Sequence, residues 1–175
     1  MGQLETTRDR FLGGALDVIQ PRTGYRAGMD AVLLGASIRA EAGQQILDVG
    51  CGVGTAGLCL ASRVSGAQVT GIELQPELHA LASQNAENNG LADRVAFVCG
   101  DVRTKGRVLP ARRFDHVISN PPYIAETSGR RSETRHADLS KREREVTLAE
   151  WVEAMLYWVK ERGNISIIHR ADRLH

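Results

Sequence analysis

The residues best suited to chemistry stand together in Ser119-Asn120-Pro121-Pro122-Tyr123. Two successive prolines fix the backbone and stop a strand from continuing. The Asn120 side-chain oxygen and the Pro121 carbonyl oxygen can each accept one N–H bond. Tyr123 offers a flat face on which a planar group can stack. This trio suits an exocyclic amine or carboxamide nitrogen, whose delocalised lone pair makes it a poor nucleophile. Two fixed acceptors orient that nitrogen and stabilise positive charge as it attacks, so alignment rather than a strong base supplies the acceleration. The plainer reading is a rigid strand-ending loop with a surface tyrosine. It loses ground because the loop is expected beside a second motif.

That motif is Asp48-Val49-Gly50-Cys51-Gly52-Val53-Gly54, directly after a short apolar strand. Glycines let a backbone turn sharply and approach a ligand with no Cβ in the way, and the helix that follows presents unpaired N–H groups. Gly52-Val53-Gly54-Thr55-Ala56-Gly57 also matches a dinucleotide fingerprint, with Glu73 at the expected distance beyond it. Asp48 argues the other way, because a carboxylate at the strand end repels phosphates and suits a cationic ligand such as an ammonium. Glu73 ends the next strand and can accept from both hydroxyls of a ribose. Asp101 ends the third and can accept from an adenine amino group. Acids at three successive strand ends fit one ligand laid across the top of a sheet, a methyl donor before a dinucleotide.

The elements that must position these residues alternate. Leu16 to Gln20 reads as a strand or hairpin arm after the Gly13-Gly14 turn. Asp30 is expected to cap a helix running through Ala31 to Ile38. Strands follow at 46–49, 69–73, 95–98, 116–118 and 165–168. One intervening helix carries Leu58, Leu60 and Ala61. The next opens on Pro76 and ends at Asn88-Asn89-Gly90. The last has Thr147 and Glu150 as a capping box and Gly163 as its terminator. Strand–helix alternation predicts a doubly wound, mostly parallel α/β sheet, Rossmann-like, with its ligand at the carboxyl ends of the strands. Residues 1–29 form a leader with a short strand or hairpin, and residues 30–175 a catalytic domain.

The composition is that of a globular chain: 175 residues, 42% apolar, 25% charged, formal net charge +1. This excludes a histone-like or tail-like binder of nucleic acid and leaves an RNA substrate open. No apolar run is long enough for a membrane span, and Met1 to Arg10 is too polar for a signal peptide, so a cytoplasmic location is expected. Cys51, Cys59 and Cys99 form no CxxC pair, and neither a metal site nor a disulfide is expected.

The glycine loop, Glu73, Asp101 and Asn120-Pro121-Pro122-Tyr123 together resemble class I S-adenosylmethionine-dependent methyltransferases of the amino-methylating group, which includes adenine-N6, guanine-N2 and glutamine-N5 enzymes. The leader Gln20-Pro21-Arg22-Thr23-Gly24-Tyr25-Arg26-Ala27-Gly28-Met29-Asp30-Ala31-Val32-Leu33-Leu34-Gly35 is similar to that of bacterial tRNA (adenine-N6) methyltransferases acting on valine tRNA. The resemblance runs from about Arg8 to the end of the chain. It implies that Asp48, Gly50 and Gly52 hold the methionine end of S-adenosylmethionine, Glu73 the ribose and Asp101 the adenine. It further implies that Gly28 and Asp30 cover the donor, that Asn120 borders both ligands, and that Asn120, Pro121 and Tyr123 carry the transfer. Such enzymes continue beyond the fifth strand to a seven-stranded sheet, so this chain resembles a form lacking the last two strands, with an apolar edge.

For the acceptor, tRNA adenine-N6 is the leading expectation. Glutamine-N5 enzymes usually carry a helical domain ahead of the core, for which the residues before Ile46 leave no room; an rRNA guanine-N2 substrate stays open. The polar stretch Gly129 to Val146 holds six cations and four acids, as a substrate-contacting loop would. A catalytically silent donor-binding module is the reading from another class.

Overall fold

A computed structural model of the chain describes residues 4–121 and 146–169. The leader is an antiparallel hairpin, β1 (Thr6–Phe11) and β2 (Leu16–Pro21), with Arg8 opposite Ile19 and Phe11 opposite Leu16. Leu12, Gly13 and Gly14 all take positive φ in the turn between them. Then come α1 (Met29–Ser37), β3 (Gln45–Val49), α2 (Thr55–Arg63), β4 (Gln68–Glu73), α3 (Pro76–Asn88) and β5 (Val95–Cys99). A 3₁₀ turn at Val102–Thr104 leads into the short α4 (Lys105–Val108), β6 (Phe114–Ser119), α5 (Leu148–Trp158) and β7 (Val159–Ile167). Strands β3 to β7 form one sheet in the order β5-β4-β3-β6-β7 with every pairing parallel. The expected doubly wound sheet is present, and its order reverses between β3 and β6. That switch point lies between the glycine loop and Asn120.

Period-two alternation sorts the strand residues onto two faces. Ile46, Val69 and Ile118 join α1, α2 and α3 in one core, whereas Leu47, Ile72 and Val117 join α5 in the other. Leu16 and Val18 of the hairpin belong to the first core, so the leader is packed into the domain.

Three local expectations are corrected. Asp30 lies inside α1, whose N-cap is Gly28 in extended conformation with no side-chain cap bond. Glycine is accepted at an N-cap because it takes the extended conformation there freely. Gly163 does not close the last helix; α5 already ends at Trp158, and Gly163 sits within β7. The β6–β7 register shifts between Phe114 and His116, Arg162 has φ 66°, and a Cβ on Gly163 would come within 2.9 Å of the Asp115 carbonyl oxygen. The glycine therefore serves a bulge, and the strand begins at Val159, not Ile165. The capping box at Thr147 and Glu150 is as expected.

The hairpin is fastened to α3 by side chains that imitate a neighbouring strand. Asn85 Oδ1 accepts from Ile19 N–H at 2.8 Å while its Nδ2 donates to Ile19 O at 2.9 Å and to Val53 O at 3.1 Å. One turn on, Asn89 makes the same pair with Asp17, at 2.9 and 2.6 Å. Asn85 is fully buried and joins the leader to the glycine loop. Asn85→Ala strands three backbone groups and is expected to cost about 2 kcal/mol, a midpoint several degrees lower in a thermal melt. An unchanged melt would mean that the amide bonds merely replace equally good bonds to water.

Candidate functional site

The glycine loop leaves β3 through Gly50 at φ 68° and Gly52 at φ 58°, a region that side chains with a Cβ rarely adopt. Close packing restricts both positions again. A Cβ on Gly50 would lie 2.8 Å from the Trp151 ring, and one on Gly52 would lie 2.3 Å from the Tyr25 ring. The loop is thus held between a residue of α5 and a residue of the leader.

Asp48 is buried, with Oδ2 accepting from the Gly57 N–H in the first turn of α2 at 3.2 Å. Burial raises its carboxyl from 3.8 to about 7, with the Gly57 bond pulling the other way. An acid that already occupies a first-turn N–H of the helix leaves a poor seat for a pyrophosphate, which weighs against the dinucleotide fingerprint. Glu73 is also buried; Oε2 accepts from Gly52 N–H and Oε1 from Gln75 N–H, each at 2.8 Å. It therefore shapes the glycine loop as well as ending β4. Glu73→Ala is expected to weaken donor binding by about 1.5–3 kcal/mol; unchanged affinity in titration calorimetry of a folded variant would remove Glu73 from the site. Cys51 lies between these acids, and burial together with Asp48 and Glu73 pushes its thiol well above the usual range, so it is inert.

Asp101 differs from the other two. It is partly exposed, and Arg103 engages both its oxygens while also donating its backbone N–H at 2.9 Å. Those contacts, the Arg103 hydrogen bond foremost, hold its carboxyl below the usual range. Asp101 and Arg103 border a cleft of about 320 Å³, counted with the solvent at its mouth, whose floor includes Gly50, Ile72, Val102 and Trp151. Asp48 and Glu73 lie beneath the loop instead of lining this cleft. The three acids are brought to neighbouring strand ends as expected, but to different depths.

At the end of β6, Ser119 is fully buried, and Asn120 follows with a buried Oδ1 that has no hydrogen-bond partner among the described residues. Pro121 is buried behind it. Pro122 and Tyr123 lie outside the described residues, as do the cations of the polar stretch from 129 to 145. In the leader, Gly28 is exposed and Asp30 half-buried. The leader residue that meets the glycine loop is Tyr25. It was missed because a lone aromatic in a polar segment carries no periodic signal. Trp151 carries no signal beyond its helical spacing, which cannot tell that its ring crosses to another element.

These residues fit a methyl donor. The glycine turn offers the open backbone, the cleft lies at the strand ends beside it, and Thr55 at the start of α2 holds a second buried oxygen, Oγ1, without a partner among the described residues. Comparison with known proteins decides the family. A model of the methyltransferase domain matches residues 46–132. A tRNA1(Val) (adenine(37)-N6)-methyltransferase of Porphyromonas gingivalis is 31% identical over 172 residues, covering 95% of this chain and 67% of that protein. The chain belongs to the S-adenosylmethionine-dependent methyltransferases.

A relative of the same printed name from Actinobacillus pleuropneumoniae is 32% identical, over 86% of this chain and 62% of its own length. This methyltransferase chain therefore spans somewhat under two thirds of that relative. Among solved structures, a predicted O-methyltransferase from Agrobacterium tumefaciens aligns with TM-score 0.63 and 29% identity, over 82% of this chain and 62% of that one. A Geobacter sulfurreducens methyltransferase in complex with S-adenosyl-L-homocysteine aligns at 0.56 and 26%, over 81% and 47%. The family's cofactor is S-adenosylmethionine, and the Rossmann-like architecture is shared. Among the described residues, no helix is long and apolar enough to cross a membrane, and no group of three or more His, Cys, Asp or Glu could hold a metal ion.

Proposed function

We propose that this methyltransferase transfers a methyl group from S-adenosylmethionine to an exocyclic amino nitrogen, the N6 of an adenine in tRNA. The observation that carries the amine is Asn120 Oδ1, a buried acceptor without a partner among the described residues. Leaving an acceptor buried and unpaired costs about 1–3 kcal/mol, a cost that makes sense where a ligand supplies the missing N–H. Asn120 and the Pro121 carbonyl then accept the two amine hydrogens, and Tyr123 stacks on the base. Bound donor supplies an electrophilic methyl group. The chain's own work is to align the nitrogen and to leave the proton free to depart after transfer.

The donor half follows from the loop: Gly50 and Gly52 open the backbone, Asp48 faces the ammonium end, Glu73 takes the ribose, and Asp101 the adenine amine once Arg103 yields an oxygen. Gly28 and Asp30, with Tyr25, close the leader over it. The tRNA acceptor is supported by the relatives named for that reaction and by the cation-rich stretch after Tyr123. Transfer of a labelled methyl group to unmodified tRNA, with release-factor protein and ribosomal RNA as parallel acceptors, tests this. Label confined to adenine of tRNA supports the proposal. Label in glutamine or guanine moves the substrate, and donor binding without any transfer makes the chain a binding module.

A further inference from the structure

We infer that Ser119 and Trp151 are positioning residues that aim the Asn120 acceptor, an inference that rests on the amine-acceptor reading of Asn120. A side-chain acceptor is aimed only as precisely as the backbone that carries it is held. Ser119 holds that backbone from three sides. Its carbonyl accepts from Ile168 N–H at 3.1 Å, its Oγ donates to the Val49 carbonyl at 2.7 Å, and the same Oγ accepts from Trp151 Nε1 at 2.8 Å. On the far side of Asn120, Pro121 locks φ.

The Trp151 bond crosses the two halves of the site. Its indole rests on Gly50 of the donor loop and lines the cleft, while its N–H reaches the strand end that carries Asn120. Val49 and Ser119 are register partners in the parallel β3–β6 pair. The Ser119 hydroxyl therefore adds a side-chain rung just where that pairing ends. Trp151 is itself fixed, 5% exposed in the first turn of a helix with a complete capping box. One side chain thus sets the spacing between the loop that takes the donor and the residue that takes the amine. A displacement on the order of 1 Å at such a point costs about 10²-fold in rate.

Trp151→Phe keeps a ring against Gly50 and deletes only the N–H; Ser119→Ala deletes the hydroxyl and strands that N–H. Ser119→Ala is expected to bind S-adenosylmethionine within about twofold of wild type in calorimetry, while in both variants single-turnover transfer at saturating donor falls roughly ten- to a hundredfold. The double variant should fall no further than the slower single one, since both remove one network. Ser119→Ala should also alter the near-ultraviolet dichroism of the tryptophans in the absence of donor, a readout independent of activity. Wild-type transfer rates in both variants, with only a lowered melting temperature, would overturn the inference and leave the network structural. An unaltered dichroism would remove the Trp151–Ser119 bond from the argument. Asn120→Ala separates this from the parent reading. If Asn120→Ala transfers normally, the acceptor role itself is wrong. If it is inactive while Trp151→Phe and Ser119→Ala are normal, only the positioning role is lost.

Discussion

Asn120→Ala is expected to bind S-adenosylmethionine almost as wild type does while methyl transfer falls by about 10²–10³, or on the order of 2.7–4 kcal/mol in the barrier. The separation follows from the structure. Among the described residues the Asn120 oxygen has no partner, so its removal breaks no bond made by that oxygen. Stability should hold or rise slightly, because a buried unpaired acceptor is removed. Tyr123→Ala is a useful companion, expected to weaken acceptor engagement by roughly 1–3 kcal/mol through lost stacking, with Tyr123→Phe tolerated. Single-turnover transfer to unmodified valine tRNA is the measurement, with donor affinity read by calorimetry on the same preparations. Wild-type transfer by Asn120→Ala would reduce the motif to a structural turn. Loss of donor binding in that variant would instead assign the loop to the cofactor pocket.

Asp48→Asn is expected to make the protein more stable at pH 8 and a poorer donor binder. Burial lifts the Asp48 carboxyl from 3.8 to about 7 in the folded chain. Below pH about 4 both folded and unfolded states hold the proton, and the group costs nothing. As pH rises the unfolded carboxyl ionises first, so stability declines through the interval up to about 7, beyond which the full penalty applies. The gap from 3.8 to about 7 corresponds to on the order of 4 kcal/mol. The asparagine keeps an acceptor for the Gly57 N–H and never ionises, although its own amide hydrogens offset part of the gain. A net stabilisation of about 2–4 kcal/mol at pH 8, vanishing by pH 4, is the expected result of denaturant titrations. Donor binding should show the reverse. The ammonium of the donor favours ionised Asp48, so wild-type affinity should rise from pH 5 to 7 with proton release, and Asp48→Asn should bind more weakly without that pH dependence. A variant less stable than wild type at pH 8, or wild-type affinity flat across pH 5–8, would show that Asp48 does not carry the buried charge described.

Much of the site was legible in the chain because its chemistry is local. Glycines in Gly50-Cys51-Gly52 announce positive φ, which the backbone adopts at both positions. Short apolar runs placed the strands, and a Ser/Thr-to-Glu spacing placed the cap of α5. Of the local failures, the Asp30 cap was off by two residues, and the end of α5 was hidden by a bulge. Gly163 looks like a helix terminator, because sequence spacing cannot distinguish a glycine needed by the helix from one needed by the strand pressing on it.

The sequence alone determined which residue types stand at the strand ends, and so which ligand chemistry they can serve, because acids, glycines and Asn-Pro-Pro carry their hydrogen-bonding and backbone preferences wherever they fold. Tertiary structure decided what those groups are already bonded to. It set Asp48 and Glu73 beneath the loop and Asp101 at the cleft, and left Asn120 Oδ1 without a partner among the described residues. It also brought Tyr25, Asn85 and Trp151 to the glycine loop from the leader, α3 and α5. Such contacts depend on parallel crossovers that join positions up to about a hundred residues apart. Burial and partner, which set the Asp48 proton affinity and hold Ser119, are properties of that assembly and not of any segment within it.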